Sequence, residues 1–253
     1  MTVTTVGDIY RCIDSFAPFA SAESWDNVGL LLGDSAAVVT GIVTALDLTA
    51  DVLNEAAGLG ANLVVTHHPV IFDPLKRLES QSVVYRAARL GVHVISAHTS
   101  LDLAPEGVNQ ALAEALQLRD PAPLCEDGLG RIGLLPLPMG ARALAEFVKR
   151  RLNCKGLRFY AAPGQIDCVA VCGGAGGSLL AEAQSQGAQA LVTADVKHSA
   201  FLDAKNRGIT LVDGGHFATE NVIIAPLTAR LKQHFPQLPV QASECSAEVT
   251  DWL

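Results

Sequence analysis

Residues 41–68, GIVTALDLTADVLNEAAGLGANLVVTHH, contain the pattern that decides the fold. The β-branched run Gly41–Thr49 predicts a strand, and Thr49 is a suitable cap for a following helix. That helix is predicted over Ala50–Ala57 and ends near two glycines, after which Asn62–Thr66 (NLVVT) is a buried strand. A strand, a helix and a second strand in this order form the repeating unit of a parallel sheet.

The same alternation continues through nearly the whole chain. Further helices are predicted over Val6–Phe16, Ser82–Leu90, Val108–Leu116 and Ala141–Leu152, with a long helix after Glu220 towards Phe235. The segment Asp120–Gly130 is rich in Pro and Gly and predicts a boundary between an N-terminal lobe, 1–125, and a C-terminal lobe, 126–253. LVVTHHPV at Leu63 and LVTADVKH at Leu191 are loosely similar, which hints at two related halves. We expect an α/β fold with mostly parallel sheets flanked by helices.

Composition and charge exclude several classes of protein. Hydrophobic residues make up 49% of the 253 residues, which is too many for a disordered chain. Asp and Glu outnumber Lys and Arg by 26 to 18, and this net charge of −8 makes nucleic acid an unlikely partner. Apolar runs are too short to span a membrane, and the N-terminus lacks the pattern of a signal peptide. Six cysteines without a C-x-x-C pair predict reduced thiols in a cytoplasmic protein.

Histidines and carboxylates follow three of the predicted strands. Ligands of α/β sheets collect at the carboxyl ends of the strands, so these positions are candidates for a site. The residues are His67 and His68 after LVVT, His98 and Asp102 after VHVIS, and His216 and Glu220 after ITLVD. Each has an ordinary alternative: His67 and His68 as loop residues, Asp102 in an Asx turn, and Glu220 in a helix cap. Their common placement favours a shared site.

The donor types in this set indicate a metal centre. Three imidazoles with two carboxylates suit Zn, Fe, Mn or Ni, and they do not resemble a thiolate structural site. Five protein ligands are too many for one catalytic ion that keeps an open position, but they suit two divalent ions with one bridging carboxylate. The fourth histidine at these strand ends, His98, is the candidate for catalytic proton transfer.

Several segments together resemble a known family. They are SWDNVGLLLGD at Ser24, THHPVIF at Thr66, SAHTSLD at Ser96, GVN at Gly107, TADVKHS at Thr193 and DGGHFATE at Asp213. In content and order they resemble the NIF-three-like family (NGG-one-interacting factor three), whose bacterial members are often called GTP cyclohydrolase 1 type 2 homologs. The resemblance implies two intertwined α/β lobes with a dinuclear metal site in the cleft between them. It also implies a ring-shaped homohexamer.

The resemblance also assigns ligands. The family's metal ligands fall here on His67, His68, Asp102, His216 and Glu220. Glu220 is then the bridge, with His67 and His216 on one ion and His68 and Asp102 on the other. TADVKHS has a single histidine, His198, where many relatives carry two, so the resemblance gives His198 no role.

The function implied is a metal-dependent hydrolase acting on a small molecule. The family's name implies hydrolytic opening of the imidazole ring of GTP, so a nucleotide is a candidate substrate and other C–N bonds or phosphoesters suit the same chemistry. Two alternatives use the same ligands: a non-catalytic protein that binds or delivers metal, and an oligomeric interaction scaffold.

Other motifs stay open at this point. GGAGGS, Gly173–Ser178, is compatible with a phosphate cradle and, more simply, with a tight turn from strand to helix. Trp25-Asp26-Asn27 is compatible with a loop at the site and with a structured turn. His93, inside a strand, and His234, near a helix end, are predicted to be structural or surface residues.

Overall fold

The structure of the protein, a computed structural model, describes residues 3–253. Contacts divide the chain into two compact units, Met1–Ala104 with Ile224–Ala247 and Pro105–Ile223 with Glu248–Leu253. The expected boundary near residue 125 lies inside the second unit. The reason is that the Pro-rich segment forms a strand that pairs with the second sheet.

The bounds of the elements are as follows. The strands are β1 (Gly29–Leu32), β2 (Ile42–Ala45), β3 (Leu63–Thr66), β4 (His93–Ser96), β5 (Arg119–Pro123), β6 (Arg131–Gly140), β7 (Arg158–Tyr160), β8 (Gln165–Val171), β9 (Ala190–Thr193), β10 (Thr210–Asp213) and β11 (Val240–Ala242). The helices are α1 (Val6–Phe16), α2 (Ala50–Gly58), α3 (Val83–Leu90), α4 (Thr99–Leu103), α5 (Val108–Ala115), α6 (Ala141–Arg151), α7 (Leu180–Ser185), α8 (His198–Arg207), α9 (His216–Glu220) and α10 (Ile224–His234). Short 3-10 helices lie at Phe19–Ser21, Gly177–Leu179 and Asn221–Ile223.

The first unit contains a five-stranded sheet in the order β1-β4-β3-β2-β11. All neighbouring strands are parallel except β1, which runs antiparallel to β4 at the edge. Ala45 pairs with Thr66, and Thr66 pairs with Ser96, so β2, β3 and β4 end level with one another. The loops that follow these three strands therefore leave the sheet side by side.

Apolar side chains hold this sheet against its helices. Val43, Val64 and Val94 point to the same face because they occupy equivalent positions in neighbouring strands. They share a buried cluster with Val52 and Leu53 of α2. At roughly 25 cal/mol per Å² of apolar surface removed from water, such a cluster is the main stabilising contribution to the unit.

The second unit contains a six-stranded sheet in the order β5-β6-β8-β9-β10-β7. Its centre, β8-β9-β10, is parallel, while β5, β6 and β7 add antiparallel pairings on both sides. One face packs on α5 and α6, and the other packs on α7 and α8. The predicted α/β class with two sheets flanked by helices is confirmed, and the second sheet is mixed.

Local sequence signals place several helices correctly. Thr5 and Asp8 form a capping box at the start of α1, and the Thr49 side chain accepts a hydrogen bond from the Val52 N–H at the start of α2. The helix Ser82–Leu90 is confirmed with Ser82 as its cap. It ends at Gly91, whose left-handed φ of 69° suits a residue without a side chain.

One local prediction is wrong. The long helix after Glu220 is interrupted by the 3-10 turn Asn221–Ile223 before α10 begins. Pro226 has no N–H to donate to the carbonyl four residues earlier, which accounts for the break. The Pro- and Gly-rich segment after Asp120 contributes to β5, an edge strand, where prolines are tolerated.

Every helix within residues 3–253 is too short or too polar to cross a membrane.

Candidate metal centre

The turn after β3 presents two adjacent imidazoles in the first unit. His67 is fully buried, and its Nδ1 lies 3.1 Å from the carbonyl oxygen of Ala97. His68 is partly exposed, and its Nδ1 lies 2.8 Å from Oδ1 of Asp47. The Thr66 hydroxyl donates a hydrogen bond of 2.7 Å to the carbonyl of His68, which holds the chain as it leaves the strand.

The third imidazole of this unit belongs to His98, which precedes α4. Its Nδ1 lies 2.9 Å from Oδ1 of Asp26, a carboxylate whose side chain is fully buried. Oδ2 of Asp26 accepts hydrogen bonds from the backbone N–H of Thr99 at 3.0 Å and from its hydroxyl at 2.6 Å. Burial alone would raise the pKa of Asp26, but the hydrogen bonds from Thr99 and His98 hold that pKa below its usual value. A fixed negative charge therefore orients the His98 ring.

These three rings lie close together. Their centroids are 5.0 Å apart for His67 and His68, and 5.3 and 5.5 Å from each of these to His98. One nitrogen from each ring lies within 4.8 Å of the others, which is the spacing of atoms that share an ion. Asp102 joins them, with Oδ1 3.6 Å from Nε2 of His67. The first unit thus brings together His67, His68 and Asp102, and adds His98 to the set.

The second unit contributes one imidazole held between two carboxylates. Gly215 adopts a φ of 88°, a conformation that favours glycine, and this turn delivers His216 to the start of α9. Nδ1 of His216 lies 2.7 Å from Oδ2 of Asp195, and Nε2 lies 2.9 Å from Oε2 of Glu220. His216 and Glu220 meet because residues four apart share one face of a helix.

The two carboxylates change the ionisation of this histidine. The hydrogen bond to Glu220 raises the pKa of His216 to about 9, and Asp195 adds to the effect, although burial opposes it. Without a metal, His216 is therefore a cation at neutral pH. The same negative potential attracts a metal cation, which would replace the proton on Nε2.

Glu220 is a buried carboxylate, and the glycine loop after β8, Gly173–Ser178, leaves space for its side chain. A Cβ on Gly174, whose φ is 60°, would overlap Oε1 of Glu220, so the loop can approach only as glycine. The N–H groups of this loop are engaged by the protein itself. Those of Gly173, Gly174 and Gly176 donate to the side chains of Asn109, Thr219 and Thr193, respectively. These bonds support the tight-turn interpretation and argue against a phosphate cradle.

One orientation is common to all four site histidines. In each, Nδ1 faces an oxygen that can only accept a hydrogen bond: the Ala97 carbonyl or the carboxylates of Asp47, Asp26 and Asp195. Nδ1 therefore carries the proton, and in the neutral ring Nε2 keeps the lone pair that a metal binds. Metal-binding histidines are almost always oriented by such a bond. The donors present therefore fit divalent metal ions.

The other histidines lie elsewhere. His93, in β4, accepts a hydrogen bond on Nδ1 from the Asp34 N–H. His234 is exposed, with Nδ1 near the carbonyl of its own helix residue Arg230, and His198 is exposed at the start of α8.

The orienting carboxylates Asp26, Asp47 and Asp195 were not predicted from the sequence. Asp47 and Asp195 each lie two residues beyond the end of a parallel strand, which is a signal that sequence analysis could use. Asp26 lies 72 residues from its partner His98 in the chain, and nothing local marks that pairing.

Comparisons with known proteins agree with this architecture. The profile of the Duf34/NIF3 family (NGG1p interacting factor 3) matches residues 4–249. A GTP cyclohydrolase 1 type 2 homolog from Clostridium acetobutylicum is 31% identical over 239 residues, covering 90% of this chain and 89% of the relative. One of the same name from Streptomyces coelicolor is 34% identical over 231 residues, covering 85% and 81%.

Solved structures give the same result. The crystal structure of a hypothetical protein from Staphylococcus aureus matches with a TM-score of 0.94 and 29% identity, covering 100% of both chains. A Bacillus cereus protein related to NIF3 matches with a TM-score of 0.93 at 23% identity, again over 100% of both chains, and this likeness concerns the fold alone.

Proposed function

The chain belongs to the Duf34/NIF3 family, and on that premise we propose that it is a hydrolase that works with two divalent metal ions. The observation that carries the proposal is the common orientation of four imidazoles, in each of which Nδ1 faces an oxygen acceptor, so that Nε2 is the ring nitrogen that would ligate a cation. The proposed ligands are His67, His68, Asp102, His216 and Glu220. The donor set suits Zn, Fe, Mn or Ni.

The two units are proposed to supply one centre jointly. The first unit offers three neighbouring imidazoles and one carboxylate proposed as a ligand, Asp102, while Asp26 and Asp47 orient two of the rings. The second offers His216 with the buried carboxylate Glu220. A centre with two cations needs negative charge and several donors, and each unit supplies both imidazole and carboxylate. Glu220 is proposed as the bridge because a carboxylate has two oxygens, one for each ion.

The chemistry of the proposed reaction is divided between the ions and the side chains. When bound, the ions supply Lewis acidity, which makes water a nucleophile near neutral pH and stabilises an oxyanion. His98 is proposed as the proton carrier, since it lies 5.3–5.5 Å, ring to ring, from two proposed ligands without being needed as one. Asp26 is a positioning residue: it fixes the His98 tautomer, so that Nε2 is the atom that takes up and releases the proton.

The substrate is proposed to be a small molecule with a hydrolysable C–N bond. Several curated relatives bear the name GTP cyclohydrolase 1 type 2 homolog, which makes a nucleotide the first candidate. A cytoplasmic location and a homohexamer, both expected from the sequence or the resemblance, belong to the same proposal.

The experiment is a hydrolysis screen of protein loaded separately with each of the four metals, with nucleotides and other C–N compounds as substrates. We expect turnover that disappears with a chelator and returns with metal. His98→Ala should lower kcat by about 10²–10⁴-fold at an unchanged metal content, the usual contribution of a general acid or base. The control His234→Ala changes an exposed histidine outside the site and should have no effect.

Two results would overturn the proposal. One is the absence of hydrolysis in protein whose metal content has been verified, which would favour a metal-binding, metal-delivery or scaffold role. The other is an activity that Glu220→Gln leaves unchanged, because such an activity would not use the proposed centre.

A further inference from the structure

Two large aromatic side chains of the first unit are exposed beside its imidazoles. The Trp25 and Phe72 residues are 59% and 49% exposed, in a chain whose aromatic content is only 5%. We call these two residues the aromatic wall. Scattered exposed apolar residues are common on protein surfaces, so the position of the pair is what requires an explanation.

The aromatic wall adjoins His98. The His98 ring centroid lies 6.1 Å from Trp25 and 6.4 Å from Phe72, with interplanar angles of 76° and 73°. The two wall rings lie 6.0 Å apart and are tilted by 48°. Because each meets His98 at an angle near 75°, neither is stacked face to face on the histidine.

Hydrogen bonds on both sides hold the wall in place. Trp25 precedes Asp26, which binds His98 and Thr99 through a fully buried side chain. Asn27 then donates from its side-chain amide to the carbonyl of Ile71, at 2.6 Å, directly before Phe72. The residues that orient the proposed proton carrier therefore also fix the loops that carry both aromatic rings.

A planar ring is the ligand that suits this surface. Aromatic side chains bind planar heterocycles by stacking, which is worth about 1–3 kcal/mol per base and requires a flat π face on the ligand. Nearby imidazoles can exchange hydrogen bonds with ring nitrogens or carbonyls. A phosphate group has neither a π face nor an apolar surface and would gain little from the wall.

We propose that Trp25 and Phe72 bind the substrate by stacking against a planar nitrogen heterocycle and so position it beside His98. This inference rests on the proposed function for its catalytic meaning, since the heterocycle is taken to be part of the hydrolysed substrate. The wall itself is a binding surface that can be tested without turnover.

The experiment uses tryptophan fluorescence. The chain has two tryptophans, so Trp252→Phe leaves Trp25 as the only reporter. Metal-loaded Trp252→Phe protein is titrated with purine and pyrimidine nucleoside monophosphates and with a pterin. Ribose 5-phosphate, which has the sugar and phosphate but no heterocycle, is the control ligand. We expect saturable quenching by at least one ring compound and none by ribose 5-phosphate.

Variants test the contribution of Phe72 and distinguish the aromatic-wall proposal from the proposed hydrolase function. Phe72→Leu in the same background should weaken binding of the quenching compound about tenfold, while Phe235→Leu, the same change elsewhere in the unit, should not. Trp25→Leu in the otherwise unchanged chain, followed by equilibrium dialysis, should show a similar loss. All three variants should keep the wild-type metal content.

The outcomes are distinguishable. Ring binding by protein whose metal content has been verified, but which hydrolyses no substrate, supports the wall and overturns the proposed function. Absence of quenching by every ring compound, in a protein that binds metal and turns over, overturns the wall and leaves the function standing. Absence of quenching together with a lower mass of Phe72→Leu by light scattering shows that a second copy of the chain covers the wall, which also overturns the inference.

Discussion

The two units of the molecule share a strand topology but differ in the functional side chains at the ends of their strands. In each, three successive strands are parallel neighbours, β2-β3-β4 in one and β8-β9-β10 in the other. In each, the strand that precedes these three in the chain pairs antiparallel with the last of them, β1 with β4 and β7 with β10. This common topology agrees with the weak similarity between LVVTHHPV and LVTADVKH.

The two units also resemble each other in the short helix that follows the third parallel strand. His98 and Asp102 are four residues apart at the start of α4, and His216 and Glu220 are four apart in α9. The units differ after the middle strand, where Thr66 is followed by His67 and His68 but Thr193 is followed by Ala194 and Asp195.

This difference decides the character of each set of donors. At the position of His68, the second unit has Asp195, which orients His216. The first unit has His67 and His68 at the middle position. Its orienting carboxylates are Asp47, which follows β2, and Asp26, which lies in a loop before β1. The first unit therefore brings three imidazoles close together, whereas the second holds one imidazole between two carboxylates. A repeated scaffold with exchanged residues is a simple way to obtain unlike donors.

The largest effect is expected from removing the buried charge of the second unit. Glu220→Gln keeps the shape of the side chain and removes the proposed bridge. We expect metal affinity to fall by more than the roughly 10–100-fold that loss of an outer partner costs. Competition with a chelating dye measures this affinity. Glu146→Gln, an exposed glutamate on α6, is the matched control, and equal affinities for the two variants would contradict the role of Glu220.

The orienting carboxylates of the two units should differ in importance. Asp26→Asn removes a fully buried charge. Asp195→Asn removes a charge on a side chain that is 56% exposed, so that water already screens its interaction with His216. We expect Asp26→Asn to lower kcat by about 10–100-fold and Asp195→Asn to act at the lower end of that range or below it. Steady-state kinetics at saturating metal measures both. A larger loss for Asp195→Asn would reverse the comparison.

The pH dependence of the second unit has a definite sign. In the metal-free protein the pKa of His216 is raised from 6.5 to about 9. Its contribution to folding stability is therefore fully present below pH 6.5 and is lost as the pH rises through 9. Metal affinity should instead rise as the pH rises towards 9, because the metal ion then has fewer protons to displace from His216.

Nuclear magnetic resonance of the His216 ring measures this pKa directly. Asp195→Asn should lower the pKa, because one of the two carboxylates that favour the imidazolium loses its charge. A pKa near 6.5 in the unaltered metal-free protein would contradict the description of the second unit.

The smallest effects concern how the helices of the two units begin. In the first unit Thr49 caps α2 with its side chain, and Thr49→Ala should cost about 1 kcal/mol of unfolding free energy. In the second unit α6 begins at Gly140, which is extended and has open space around its missing Cβ. Gly140→Ser should stabilise by a few tenths of a kcal/mol. Denaturant unfolding measures both, and a stabilised Thr49→Ala would contradict the capping role.

Much of the fold follows from local signals in the sequence. Caps such as Thr5 and Thr49 and the terminal Gly91 act within one turn of a helix, so they are visible in a single segment. The division into units depends instead on long-range pairing. A strand as rich in proline as β5 forms only because β6 lies beside it.

The candidate site divides in the same way. The rule that ligands gather at the carboxyl ends of parallel strands predicted the grouping of His67, His68 and Asp102, and that of His216 with Glu220. The sequence did not reveal that Asp26 orients His98, because that contact depends on how two distant loops fold. Nor did it reveal that Gly174 makes room for Glu220.

The number of metal ions bound per chain is the most direct test of the proposal that this chain binds two divalent metal ions through donors from each unit. Elemental analysis of metal-loaded protein should give two ions per chain for the unaltered sequence and for His198→Ala, an exposed histidine outside the set. His68→Ala in the first unit and His216→Ala in the second should each bind fewer ions while remaining folded by circular dichroism. Wild-type stoichiometry in both variants would contradict the account.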